Sequence, residues 1–149
     1  MVVQHQVAGR DTVVVCIDRE QRSACAPELA SAVREALVQE LIKQGRAGDG
    51  VHVVIADRAF EAWILADAKG LHQRGVFRQR PAFNSFEGQL GAGGKKGVVE
   101  LVRLLGRSYR KTVDGPRLFT LLDFRLARRH KPGDGGSRSL DKFLRAVGI

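Results

Sequence analysis

Two short β-branched runs, each closing on an aspartate and separated by one amphipathic stretch, restrict this chain more than any other feature. Thr12 to Ile17 (TVVVCI) is continuously apolar and stops at Asp18; Val51 to Ala56 (VHVVIA) stops at Asp57. Runs this short and this rich in valine read as strands covered on both faces, the habit of parallel sheets. Between them Pro27 suits the first turn of a helix, Leu29, Val33, Leu37 and Leu41 recur every four residues, and Gly45 supplies the stop. Asp49-Gly50 marks the turn into the second strand. Strand, helix and strand in this order predict a right-handed βαβ crossover and place the chain in the α/β class.

Beyond that unit the apolar spacing turns helical. Phe60, Trp63, Ile64 and Ala68 share one stripe, which predicts a helix over Ala59 to Ala68. Gly70 to Gly97 holds Gly, Pro, Asn, Arg and Lys with little periodicity and reads as a long basic loop. Val98, Val102, Leu105 and Tyr109 form the next helical stripe. Pro116 opens another with Leu118, Phe119, Leu122 and Leu126, and Ser139 can cap a last helix holding Leu140, Phe143, Leu144 and Val147. With 149 residues, 44% of them apolar, the chain is expected to form one domain over 1–149, an acidic βαβα part (1–68) followed by a basic, mainly helical part (69–149). No apolar run reaches the roughly 20 residues of a membrane span, and Met1 to Arg10 lacks a secretory pattern. Cys16 and Cys25 fit neither a redox nor a zinc spacing. A soluble, cytoplasmic protein with two reduced thiols and no membrane partner is the expectation.

The charge of +9 is unevenly spread. Residues 1–68 carry seven Lys and Arg against ten Asp and Glu, a balance of −3; residues 69–149 carry 18 against six, a balance of +12. An acidic half able to gather cations is thus joined to a basic half able to meet polyanions, and nucleic acid is the expected partner.

In an open parallel sheet, ligands gather beyond the carboxyl ends of the strands, where Asp18 and Asp57 fall. Glu20 follows Asp18 by two residues, and Glu61 follows Asp57 by four, one helical turn if that helix starts early. Four carboxylates could therefore converge. Such crowding needs a cation, and hard oxygen ligands suit Mg²⁺ or Mn²⁺. Arg19, Arg22 and Arg58 could neutralise the same acids without a metal, and Glu61 and Asp67 could simply lie on an exposed face.

Gly91 to Gly97 (GAGGKKG) fails the phosphate-loop spacing, since Lys96 stands where a hydroxyl should be, and no strand precedes it as a dinucleotide fingerprint requires. It reads either as a solvated hinge or as a turn feeding Lys95, Lys96 and a helix amino terminus toward a phosphate. Arg103, Arg107, Arg110 and Lys111 can line one helix face beside Tyr109, with Arg117 extending the basic surface. A face of this kind holds phosphates without reading bases, unless it is no more than a solvated helix surface. The four histidines show no ligand spacing, and neither Ser nor Cys has a plausible His partner, so nucleophilic hydrolysis has little support.

Val13 to Cys25 (VVVCIDREQRSAC), the core Phe60-Glu61-Ala62-Trp63-Ile64-Leu65-Ala66-Asp67, then Tyr109 to Thr112, Asp114 to Phe119 and Ser139 to Leu144 occur in order along most of the chain. Together they resemble the Toprim-like family catalogued as domain of unknown function 4276. The resemblance implies a three-layer Toprim-like domain with a mostly parallel central sheet. It also implies acids that bind Mg²⁺ for phosphodiester chemistry, in systems that defend bacteria against phage beside an ATPase. Asp18 matches the first acid of the family's Asp-x-Asp, and Glu20 takes the place of the second. Glu61 matches the acid of Glu-Ala-Trp, and Asp67 its closing aspartate. The family's opening strand and Glu-Gly-x-x-Glu-like turn have no counterpart in Met1 to Thr12, so the expectation is either a member shortened at its amino terminus or one whose amino-terminal acid comes from elsewhere. The resulting expectation is a Mg²⁺-dependent nuclease with Asp18, Glu20 and Glu61 as catalytic acids, Asp57 as a further metal ligand, and Lys95, Lys96, Arg103, Arg107, Arg110, Lys111 and Arg117 on nucleic acid. The other reading is a catalytically silent nucleic-acid-binding or assembly subunit partnering an ATPase.

Overall fold

The computed structural model describes residues 12–19, 23–56, 59–82, 95–128 and 136–149. Strand β1 (Val13–Asp18) and strand β2 (Val51–Ala56) pair in parallel, Val13 beside Val51 and Asp18 beside Ala56. Helix α1 (Ala26–Lys43) connects them. It has Pro27 and Glu28 in its first turn and Lys43 in its last, charges that complement the helix dipole. Gly45 ends it at φ 71°, a left-handed conformation that costs a glycine little.

The period of two along each strand sorts side chains between two apolar clusters. Val15, Val51, Val53 and Ile55 pack against Ala30, Leu29, Val33 and Leu37 of α1. Val54 and Ala56, with Val14 and Cys16, face the larger cluster on the opposite side of the sheet. That cluster is built from α2 (Glu61–Leu65), α3 (Ala68–Gln73), α4 (Lys95–Leu105), α5 (Asp114–Thr120), α6 (Phe124–Ala127) and α7 (Arg138–Ala146). Ile64, Leu65, Leu71, Leu101, Leu104, Leu140 and Leu144 are fully buried in it. Each such side chain contributes about 1.5–3 kcal/mol by leaving water.

The α/β class is therefore present, with the βαβ unit at its amino-terminal end. The described sheet has two strands only, and this is not the three-layer Toprim-like domain with a broad, mostly parallel central sheet. The reason lies in the pattern: past Ala56 the buried apolar residues recur at helical spacing, and they build helices instead of further strands.

Four local expectations are corrected. The helix expected over Ala59 to Ala68 is two helices, α2 and α3, separated at Ala66 and Asp67; Asp67 sits at φ −114° and ψ 30°, outside helical geometry. The expected loop from Gly70 is helical to Gln73. Its continuation packs firmly, with Phe77 buried and the N–H groups of Arg78 and Gln79 donating to the Leu104 carbonyl. At the far end Lys95, Lys96 and Gly97 belong to α4, and the part of that stretch at 83–94 lies outside the described residues. The stripe through Tyr109 is broken, because α4 stops at Leu105 and Gly106 turns the chain at φ 65°. Last, α7 is capped by Ser137, whose hydroxyl accepts from Leu140 N–H, and Ser139 lies inside the helix.

Candidate functional site

Asp18 ends β1, and its Oδ1 accepts the backbone N–H of Phe60 at 3.0 Å. Phe60 is the cap residue of α2, and Glu61 is that helix's first residue. The end of β1 is thereby tied to the start of α2. Ring contacts hold the rim in place. Phe60 packs edge-on against Trp63, Trp63 stacks on Phe143, and the Trp63 indole N–H donates to Ser139 Oγ at 2.9 Å.

Glu61 is 1% exposed. Its Oε1 has Lys111 Nζ at 3.5 Å and accepts a long hydrogen bond from the Tyr109 hydroxyl, also at 3.5 Å. Its Oε2 is buried without a hydrogen-bond partner among the described residues. An unsatisfied buried oxygen of this kind is costly unless something else meets it. Burial, reinforced by the charge of Glu61, pushes the Tyr109 hydroxyl up, so Tyr109 stays protonated and acts as donor. The approach is close on the other side as well: a methyl on Gly115 would lie 3.0 Å from the Tyr109 oxygen.

The remaining expected acids divide. Glu20 and Asp57 lie outside the described residues, as do Arg22 and Arg58. Asp67 is buried but structural: its Oδ2 accepts from Arg74 Nη2 at 2.6 Å and from the Asp123 N–H at 2.9 Å. Asp123 in turn caps α6. No group of three or more His, Cys, Asp or Glu side chains able to hold a metal ion occurs among the described residues. Asp18 and Glu61 still supply two hard oxygen donors, and Mg²⁺ is commonly held by one or two carboxylates, with water and phosphate filling the other positions. The orphaned Glu61 Oε2 fits such an ion.

The expected basic helix face is instead a turn and two helices. Arg103 is on α4, where it pairs with Glu100 at 2.5 Å; Lys96 is exposed on the same helix. Arg107, Arg110 and Lys111 lie in the segment between α4 and α5, and exposed Arg117 is on α5. Buried Asp114 gathers this segment. It takes Arg107 Nη2 at 2.9 Å and the Arg110 N–H at 2.7 Å, and Arg110 Nε lies 3.7 Å away. The Arg107 hydrogen bond first, then the Arg110 N–H, lowers its carboxyl from 3.8 to about 2. Lys95 starts α4.

Tyr109 and Asp114 are the residues to which sequence reasoning assigned no role here. The signal was present in Asp114 standing two residues before Pro116 at a helix start, a position that favours an acid.

Set against protein-family models, curated proteins and solved structures, the chain matches none of them. No helix among the described residues is long and apolar enough to cross a membrane.

Proposed function

We propose that the chain binds a divalent cation, Mg²⁺ or Mn²⁺, at the rim shared by Asp18 and Glu61 and engages nucleic-acid phosphates there, with phosphodiester cleavage as its activity. The observation that carries this reading is the Glu61 carboxylate, 1% exposed and with one oxygen that has no partner among the described residues, next to the end of a parallel strand. Asp18 and Glu61 would be the ligands, completed by Glu20 and Asp57. When bound, the cation supplies charge stabilisation at a phosphoryl oxygen and an activated water.

The chain's own residues do the rest. Tyr109 holds its proton and fixes Glu61 Oε1 by donating to it. Lys111, 60% exposed, reaches from solvent to the acid and can hold a phosphate beside it. Lys95, Lys96, Arg103, Arg107, Arg110 and Arg117 provide backbone contacts whose strength falls as salt rises. Asp114 sets the positions of Arg107 and Arg110. The likeness to Toprim-like proteins enters this proposal through its acids alone and lends the nuclease assignment and a setting in phage defence. The two thiols, free in the structure, suit the cytoplasm.

A second reading is favoured by the Lys111–Glu61 ion pair, because an ammonium at 3.5 Å already balances the buried acid. In that case the protein is a catalytically silent nucleic-acid-binding or assembly subunit, partner to an ATPase.

Incubation with DNA and RNA in the presence of Mg²⁺, wild type beside Glu61→Gln, tests the proposal. Cleavage by the wild type that Glu61→Gln abolishes, at unchanged folding, is the expected result. Equal cleavage by both removes Glu61 from the mechanism. No cleavage by either, with salt-sensitive binding that EDTA leaves alone, favours the silent subunit.

A further inference from the structure

The register of the sheet shows which backbone groups of β2 point away from β1. Val13 N–H donates to the Gly50 carbonyl and Arg19 N–H to that of Ala56. In a parallel ladder alternate residues bond to the same neighbour, so His52, Val54 and Ala56 turn toward β1. The N–H and C=O groups of Val51, Val53 and Ile55 therefore face the other edge. The Val51 carbonyl is met there by Arg34 Nε at 3.0 Å. No partner for the Val53 groups occurs among the described residues. Val51 to Val54 instead line an open groove of about 470 Å³ between α1 and α7.

Both walls of this groove carry positive charge. On the α1 side stand Pro27 and Ala30, small and apolar, with Ser31 and Arg34. On the α7 side stand Lys142 and Arg145, the latter also paired with Asp141 of its own helix, with His52 exposed on the same face of the sheet. Among the described residues, no acid lines the groove. A free strand edge recruits another strand, and a strand added here would direct alternate side chains to the two walls. Cations on both walls, Arg34 on one and Lys142 and Arg145 on the other, match a segment rich in acidic residues.

We infer that the β2 edge is a docking site for an extended acidic segment of a partner protein, which adds as a third strand beside Val53 and sets its carboxylates against Lys142 and Arg145. A second copy of this chain does not suit the groove, because an isologous pairing would set the same cations against one another. The inference is independent of the cation site, since neither Asp18 nor Glu61 lines this groove.

The test uses the full chain and a fluorescein-labelled octapeptide of alternating Glu and Val, read by anisotropy and by hydrogen exchange at the Val53 amide. The expected result is saturable binding that protects the Val53 amide, weakened about tenfold by Lys142→Glu, an exposed substitution that leaves melting unchanged. A peptide with Pro at its centre should fail to protect Val53. Absence of binding overturns the inference, as does equal binding of the Pro peptide, which reduces the effect to charge alone. Protection of Val53 by a single-stranded oligonucleotide in place of the peptide would assign the groove to nucleic acid and also overturn it. EDTA should change none of these results, so failure here is distinguishable from failure of the cation site.

Discussion

The Asp18 carboxylate accepts the backbone N–H of Phe60 over 3.0 Å, so the last residue of β1 supplies the acceptor that no side chain of α2 provides for its own start. One carboxylate therefore joins strand to helix and sets where Glu61 begins. Asp18→Ala removes the acceptor and should cost about 0.5–2 kcal/mol, whereas Asp18→Asn keeps it and should cost less. Urea denaturation of the two variants checks this. Equal losses would mean that the link to Phe60 carries no stability.

Asp67 and Gly70 form a second close relationship. A methyl on Gly70 would lie 2.2 Å from Asp67 Oδ1 and 2.9 Å from an Arg74 guanidinium nitrogen. Asp67 cannot retreat without losing Arg74 and the Asp123 N–H. Gly70→Ala should destabilise the protein by about 1–3 kcal/mol, although alanine is the better helix former at an ordinary site. An unchanged or raised denaturation midpoint would show that Asp67 moves freely.

Asp114 should make stability depend on acid pH. Its folded carboxyl is lowered from 3.8 to about 2, chiefly by the Arg107 hydrogen bond. A depressed carboxyl contributes stability that is complete above its unfolded value and is lost as pH falls through its folded value. The loss should run from near pH 4 down to about pH 2. Melting curves across this window should be flatter for Asp114→Asn than for the wild type, and parallel curves would contradict the assignment.

The two thiols should separate in reactivity. Burial, then the charge of Asp18, pushes the Cys16 thiol up to about 11, while Cys25 is exposed. The thiolate is the reacting form. Alkylation at pH 8 followed by peptide mapping should label Cys25 well before Cys16, and equal rates would show that the β1 rim opens readily.

Much of the amino-terminal half was legible because its signals are local. Pro27, the four-residue spacing from Leu29 to Leu41, and Gly45 bracket α1 within the chain itself, and the valine-rich runs end where the strands end. The helical half was less so. The spacing through Ala68 continues past Asp67, yet the ion pair of this buried acid with Arg74 and its bond to Asp123, 56 residues away, favour a break there. Tyr109 fits a helical stripe by number, but Gly106 ends α4 first, and the tyrosine serves Glu61 from a turn. Ser137 and Ser139 are both cap residues by type; long-range contact decides between them, because Trp63 occupies Ser139. That Asp18 closes β1 was legible in the strand pattern, while its bond to Phe60 and the neighbours of Glu61, Lys111 and Tyr109, depend on the tertiary fold.

Calorimetric titration of Mn²⁺ into the wild type and into Glu61→Gln addresses the cation site directly. A saturable transition in the wild type that is lost in Glu61→Gln, with both proteins melting alike, is the predicted result. A wild type with no saturable heat, or a Glu61→Gln variant that binds as well, would contradict it.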